Sequence, residues 1–126
     1  MLGSADIVAF VPTRAPATAR QFYEKTLGLK FIADDKFALV FEANGAMIRV
    51  VDISGIPDHR PAPFTILGWN VHNIGKVVKE LQKKGVNFEL YPGLEQDQLG
   101  VWSAPGGAKV AWFKDSDGNT LSVSEH

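Results

Sequence analysis

FALVFEANGAMIRVVD, residues 37–52, is a β-hairpin written out in full. Asn44-Gly45 lies between two alternating apolar runs, and a two-residue type I′ turn needs positive φ at both of its central positions. Such a turn fixes the register. Glu42 stands opposite Met47, Val40 opposite Arg49 and Ala38 opposite Val51, and directly opposed residues share a face of the sheet. The other face then carries Leu39, Phe41, Ile48 and Val50, an unbroken apolar set that must be the core. Arg49 and Glu42 are thereby assigned to the opposite, inner face.

Working outward toward the N-terminus, Ile7, Ala9 and Val11 alternate with Asp6, Val8 and Phe10, the pattern of a strand with two different faces. Pro16 suits the first turn of a helix, where its missing N–H costs nothing. Ala19, Phe22, Tyr23 and Leu27 fall on one face of that helix, and Gly28 ends it. Strands are expected at Lys30–Ala33, Phe37–Ala43 and Ala46–Ile53.

Toward the C-terminus the same order returns. Thr65–Val71 reads as a strand. Ile74, Val77, Val78 and Leu81 make a helical stripe that Gly85 stops, and Val86–Tyr91, Lys109–Lys114 and Thr120–Glu125 read as strands. Gly28-Leu29-Lys30-Phe31 aligns with Gly85-Val86-Asn87-Phe88, Phe41 with Phe113, and Gly45 with Gly118. A repeat of about half the chain is one supersecondary unit per copy. The chain is therefore expected to be α+β, a single domain over residues 1–126 made of two βαβββ modules, 5–53 and 64–126. Residues 54–63, rich in Pro and Gly, form the linker. One module leaves a sheet face uncovered. Pairing two is expected to give a curved mixed sheet around a cleft with the helices outside, and concave sites of this kind take small ligands.

Composition narrows the function. The chain has 126 residues, 45% of them hydrophobic and 21% charged, with a net charge of −1. That describes one ordinary globular domain and lacks the basic surface of a nucleic-acid binder. The absence of cysteine excludes disulfides, thiolate ligands and a cysteine nucleophile. No apolar run approaches the ~18 residues that cross a bilayer, and no secretory leader is legible. A cytoplasmic protein without nucleic-acid or membrane partners is expected.

Two stretches resemble a known family. Phe22-Tyr23-Glu24-Lys25-Thr26-Leu27-Gly28-Leu29 is similar to the first-helix motif of the vicinal oxygen chelate superfamily. Ala111-Trp112-Phe113-Lys114-Asp115-Ser116-Asp117-Gly118-Asn119-Thr120-Leu121 resembles its closing hairpin. That superfamily contains glyoxalase I, extradiol dioxygenases, fosfomycin-resistance enzymes and bleomycin-binding proteins. The nearest resemblance is to its small glyoxalase-like branch. It implies paired βαβββ modules, frequent homodimers, a ligand in the cleft, and a divalent metal held by His or Glu from four strands. Carried over one at a time, those four positions are Val8, Arg49, Ile66 and Ser122. Two aliphatic side chains have no donor, a guanidinium is a fixed cation, and one hydroxyl is a poor ligand by itself. Shifting the alignment along the strands brings in Asp6 and Asn70, still an incomplete set. No metal and no cofactor are expected.

The inner-face set is then Val8, Phe10, Val40, Glu42, Met47, Arg49, Ile66, Asn70, Trp112 and Ser122, with Trp112 opposite Ser122 and Val110 opposite Ser124 by the repeat. Phe113, Leu121 and Val123 face the helices. Apolar walls with a few polar groups are typical of small-molecule pockets. The expected ligand-binding residues are Arg49, Trp112, Ser122, Glu42, Met47, Phe10, Asn70 and Trp102. Trp112 can stack a flat ring or a cation, or serve as core filler or a dimer contact. Arg49 can grip a carboxylate or phosphate, or pair diagonally with Glu42 and neutralise the surface. Trp102 lies in the long stretch Pro92–Gly107 and can cover the pocket or pack on a partner subunit.

Other candidates carry less. His72 can serve as an acid or base at the cleft mouth or simply start the helix; His59 and His126 are scattered. Asp115, Asp117 and Asn119 superficially resemble a calcium loop, but the glycine is misplaced and no closing Glu follows, so they read as a turn. Lys76–Lys84 reads as a solvated helix face. No phosphate loop, nucleophile elbow or dinucleotide fingerprint is present. Three functions follow. The first is metal-free binding of a small anionic or aromatic molecule. The second is a glyoxalase-like lyase using a metal or Arg49/Glu42 electrostatics. The third is a non-catalytic dimerisation module.

Overall fold

The computed structural model describes residues 1–126. The chain divides into two compact units, Met1–His59 and Arg60–His126, each built on a four-stranded mixed sheet of the same order.

In the first unit, β1 (Val8–Thr13) leads into α1 (Pro16–Gln21), then β2 (Lys30–Asp34), β3 (Ala38–Ala43) and β4 (Ala46–Asp52). The sheet order is β1-β4-β3-β2. β1 runs parallel to β4, with Phe10 beside Arg49 and Val8 beside Met47. Asn44 and Gly45 both have positive φ, 48° and 86°, and the hairpin has the register the turn dictates: Glu42 with Met47, Val40 with Arg49, Ala38 with Val51. Val11, Leu39, Phe41, Ile48 and Val50 are buried on the helix side, joined by Ala19 and Tyr23 from the helical segment. Tyr23 packs between Phe22 and Phe41, with ring centroids 5.5 and 5.9 Å away.

The helical segment departs from the expected regular helix. Pro16 does open it, but beyond Gln21 the chain widens into a π-helical turn over Phe22–Thr26. The wide turn is closed by the bond from Leu27 N to Phe22 O at 2.9 Å. Ala19 and Tyr23 are buried, while Phe22 and Leu27 are half-buried. Gly28 then turns the chain at φ 76°. Arg14 ties the connecting segment back to this unit through the Ile56 carbonyl at 3.0 Å, and residues 54–63 contain neither helix nor strand.

In the second unit, β5 (Thr65–Asn70) precedes α2 (Ile74–Lys83), a two-residue β6 (Trp102–Ser103), β7 (Lys109–Lys114) and β8 (Thr120–Glu125). Their order is β5-β8-β7-β6. Asn73 caps α2 by accepting from the Lys76 amide, and the Glu125 carboxylate accepts from the Ile74 amide at 2.9 Å. Two of the first-turn donors are thus satisfied. Ile74 and Val78 are buried against the sheet, and Gly85 ends the turn at φ 93°. Phe113, Leu121 and Val123 are buried on that side, and β7 and β8 pair Trp112 with Ser122 and Val110 with Ser124.

Two expectations for this unit need correction. Val86–Tyr91 is not a strand: its backbone pairs with the sheet only through a bridge from Phe88 to Phe113 and a bond from Glu89 N to Trp112 O. The edge pairing resumes at Trp102–Ser103, against Val110 and Lys109, inside the stretch read as a loop. The edge strand is therefore split by an excursion that leaves after Glu89 and returns at Trp102. Pro92 and Gly93 lie within it and cannot extend a strand. In addition, β5 carries an irregularity between Thr65 and Leu67, which leaves Ile66 unpaired and sets Gly68 beside Ser122 and Asn70 beside Ser124. No helix is long and apolar enough to cross a membrane.

Candidate functional site

The inner face of the second sheet is built by alternation. Ser122 and Ser124 point away from the core side chains Leu121 and Val123, and their lateral partners follow: Trp112 and Val110 on one side, Gly68 and Asn70 on the other. Trp102, paired with Val110, joins the same face. The result is an aromatic cluster. The Trp102 and Trp112 rings lie 6.1 Å apart, tilted by 31°, and Tyr91 meets Trp112 edge-on at 5.5 Å. All three are half-buried, so ring surface remains open. Burial, helped by the Glu89 charge and opposed by Lys114, pushes the Tyr91 phenol above its ordinary pKa. Glu89 and Lys114 pair at 3.4 Å at the edge of the cluster.

Ser122 is buried. Its Oγ occupies the space over Gly68, where an added Cβ would come within 2.6 Å of it. A side chain at 68 would require that hydroxyl to turn to another rotamer. Asn70 is exposed, and Ile66 is half-buried at the strand irregularity. The expected ligand residues of this unit, Trp102, Trp112, Ser122 and Asn70, are all brought onto one face. His72 is exposed, one residue before the helix cap.

The inner face of the first sheet is different in kind. Phe10 is 63% exposed, Met47 42% and Val8 41%, and the three are neighbours through the β1–β4 register. Val40 beneath them is buried. Arg49 does not pair with Glu42. Its Nη2 donates to Asp35 Oδ2 at 2.7 Å, because the turn between β2 and β3 folds Asp35 toward it. The other oxygen, Asp35 Oδ1, accepts from the Phe37 and Ala38 amides at 3.0 and 2.8 Å. Arg49, with those amides, holds the Asp35 carboxyl below its ordinary pKa. The guanidinium is thus already matched to a carboxylate. A hollow of about 280 Å³ in this unit is lined by Pro16, Phe37, Leu39 and Val50 among others. Leu39 and Val50 are core-side residues, so it does not belong to the inner face.

The metal implied by the family resemblance does not fit these side chains. Val8 and Ile66 bring hydrocarbon, Arg49 brings a cation engaged by Asp35, and Ser122 brings one buried hydroxyl. Nor does the fold gather three His, Cys, Asp or Glu side chains into a group that could hold a metal ion anywhere in the chain.

Sequence reasoning missed three contributors. Tyr91 falls at the end of the stretch expected as a strand and outside the inner-face set. Asp35 sits in a turn, where cross-strand counting does not reach. Gln96, in the excursion, has no patterned signal at all: its side chain accepts from the Tyr91 amide at 2.7 Å and donates to the carbonyls of Glu89 and Gly100, both at 2.9 Å.

Comparison with known proteins gives a consistent family. The family model described as Glyoxalase/Bleomycin resistance protein/Dioxygenase superfamily matches residues 6–123. No curated protein matches the sequence significantly. Among solved structures, a member of that superfamily from Sphaerobacter thermophilus is 21% identical, with each chain covered in full and a TM-score of 0.75. An antibiotic-binding protein from a Streptomyces strain is 22% identical over 99% of this chain and 98% of its own, with a TM-score of 0.74. A lactoylglutathione lyase from Agrobacterium tumefaciens is 16% identical over 97% of this chain and 93% of its own, with a TM-score of 0.70. At these identities the likeness is one of fold.

Proposed function

This chain belongs to the glyoxalase/bleomycin resistance protein/dioxygenase superfamily, and from that premise we propose that it binds a small, flat, aromatic molecule without the help of a metal. The observation that carries the proposal is the half-buried cluster of Trp102, Trp112 and Tyr91 on one sheet face. Indole faces offer a large apolar surface with an attractive quadrupole, and they order few torsions on binding. Ser122 and Asn70 supply polar contacts beside them. On the first sheet, Arg49 is the candidate partner for a negative group, with Glu42, Met47 and Phe10 around it. An anionic ligand there has to share the guanidinium with Asp35, which already balances its charge through one of its five N–H donors. That favours aromatic over anionic character as the primary determinant. The Streptomyces relative, named for antibiotic binding, shows that this scaffold is used for binding elsewhere.

The test is a fluorescence and thermal-shift screen with planar aromatic compounds, neutral and acidic. A true ligand quenches the tryptophans and raises the melting temperature through preferential binding to the native state. Trp112→Ala then weakens binding at least tenfold, the loss of about 1.4 kcal/mol expected for an aromatic contact and its buried area. A panel in which no planar aromatic binds overturns the proposal.

A second reading has its own observation. Val8, Phe10 and Met47 form a contiguous exposed apolar patch, and such patches mark contact surfaces. Self-association as a homodimer through this patch predicts that Phe10→Asp shifts the mass measured by light scattering from dimer to monomer. A monomeric wild-type protein ends that reading. The lyase reading has less support. Arg49 is held by Asp35 rather than Glu42, and the chemistry of a bound metal would need donors that these positions lack. Turnover of a thiohemiacetal after nickel or zinc is added would restore it.

A further inference from the structure

We propose that Gln96 is the positioning residue of the aromatic site, a side-chain clasp that holds Tyr91 and Trp102 against Trp112. The inference rests on reading the second sheet as the ligand face, and it adds a residue that does not itself touch the rings.

Of the three aromatic residues, only Trp112 sits within a long strand. Tyr91 lies in the departing arm of the excursion, in no helix or strand, and Trp102 opens a strand of two residues. Backbone pairing holds these arms through few bonds: Phe88 has one isolated bridge to Phe113, Glu89 N donates to Trp112 O, Asp97 N donates to Val101 O, and β6 has two paired residues. Gln96 adds side-chain bonds that join the two arms directly. A glutamine amide has two N–H donors and one carbonyl acceptor. Here both kinds of group are engaged. The carbonyl accepts from Tyr91 N on the departing arm, while the amide nitrogen donates to Glu89 O on that arm and to Gly100 O on the returning arm. Its own backbone bridges to Trp102. One side chain thus fixes the spacing of the two arms at the point where each delivers an aromatic ring.

The neighbouring residues are fitted to the clasp. Gly100 is buried with φ 84°. A Cβ there would come within 3.2 Å of Phe88 Cβ and 4.0 Å of Gln96 Nε2, so glycine lets the returning arm approach. Asp97 accepts from the Leu99 and Val101 amides at 2.8 and 2.9 Å, which shapes the turn between Gln96 and Trp102. No other residue type reproduces the clasp. Glutamate fills the same space but presents oxygens to two carbonyls, and asparagine is one methylene too short to span the arms.

The test compares wild type with Gln96→Glu and Gln96→Ala, using Trp102→Phe as the reference for a lost indole pair. Far-UV circular dichroism reports folding; near-UV circular dichroism reports the Trp102–Trp112 contact without any ligand. The expected result is an unchanged far-UV spectrum, a near-UV spectrum that moves toward that of Trp102→Phe in both Gln96 variants, and at least a tenfold loss of affinity for an aromatic compound that binds wild type. An unchanged near-UV spectrum in folded variants overturns the inference. If no aromatic compound binds wild type, the near-UV result still decides the clasp, so the two failures are separable. Hydrogen exchange on wild type covers variants that do not fold. The side-chain amide protons of Gln96 should exchange at least tenfold more slowly than those of the exposed Gln82 and Gln98. Equal rates overturn the inference.

Discussion

The two units share a strand order, a parallel pairing of first and last strands, and a matched aromatic pair under the sheet. Phe31 packs on Phe41 at 5.6 Å in one and Phe88 on Phe113 at 5.4 Å in the other. They differ at the edge opposite the parallel pair. In the first unit that edge is one five-residue strand, and the inner face carries Val8, Phe10 and Met47 beside the charged Arg49 and Glu42, with no ring cluster. In the second the edge is split, and the excursion delivers Tyr91 and Trp102 to Trp112. The buried side of the repeat is conserved between the copies because packing demands it. The inner sides differ, and the interrupted edge strand gives the second unit an aromatic surface over a similarly packed core.

The comparison can be strained at several depths. The largest effects belong to the shared core. Phe41→Ala and Phe113→Ala each remove a side chain with no exposed area and should cost about 3–5 kcal/mol in denaturant unfolding. A clear inequality between the two would show that the copies do not lean equally on their matched rings. Next come the hairpin turns, which differ between copies. Asp115 accepts from the Asp117 and Asn119 amides and from Asn119 Nδ2, each at 2.9 Å. Asp115→Ala should therefore cost about 2–3 kcal/mol, since buried donors lose a charged acceptor. The first unit's turn relies on backbone conformation instead, and Gly45→Ala at φ 86° should cost about 1–2 kcal/mol.

The smallest effect separates the inner faces by pH. Arg49 is the main cause of the lowered Asp35 pKa. Arg49→Met should move the Asp35 titration, followed by carboxyl NMR, up toward the ordinary value of about 3.9. A carboxyl depressed in the folded state contributes stability that is present above its unfolded pKa and lost as pH falls through the folded one. The stability gap between wild type and Arg49→Met should therefore narrow in acid, below about pH 4, and hold constant above it.

Much of the fold was legible because it rests on local rules. Asn44-Gly45 sets a register, alternation assigns the faces, and Gly28 and Gly85 stop helical segments at matched positive φ. What was not legible depends on contacts that no period encodes. A two-residue strand such as Trp102–Ser103 is too short to alternate. The π-helical turn at Phe22–Thr26 has no signature of its own in the residue types, because Phe22, Tyr23 and Leu27 also fit the spacing of an α-helical stripe. Arg49 found its carboxylate in a turn, outside the cross-strand neighbours that counting considers. Gln96 is one polar residue in an irregular stretch, and only the positions of three backbone groups reveal what its amide is for.

Gly68 has a consequence for how this chain could change. A Cβ introduced there meets the Ser122 hydroxyl, the movable end of a short side chain, and beyond it only ordinary contacts with the Ser122 carbonyl and Cβ. Turning that hydroxyl to another rotamer relieves the contact. Positions 68 and 122 are therefore coupled, and a library randomising both should recover pairs in which the side chain at 122 has turned aside or become smaller wherever 68 has grown.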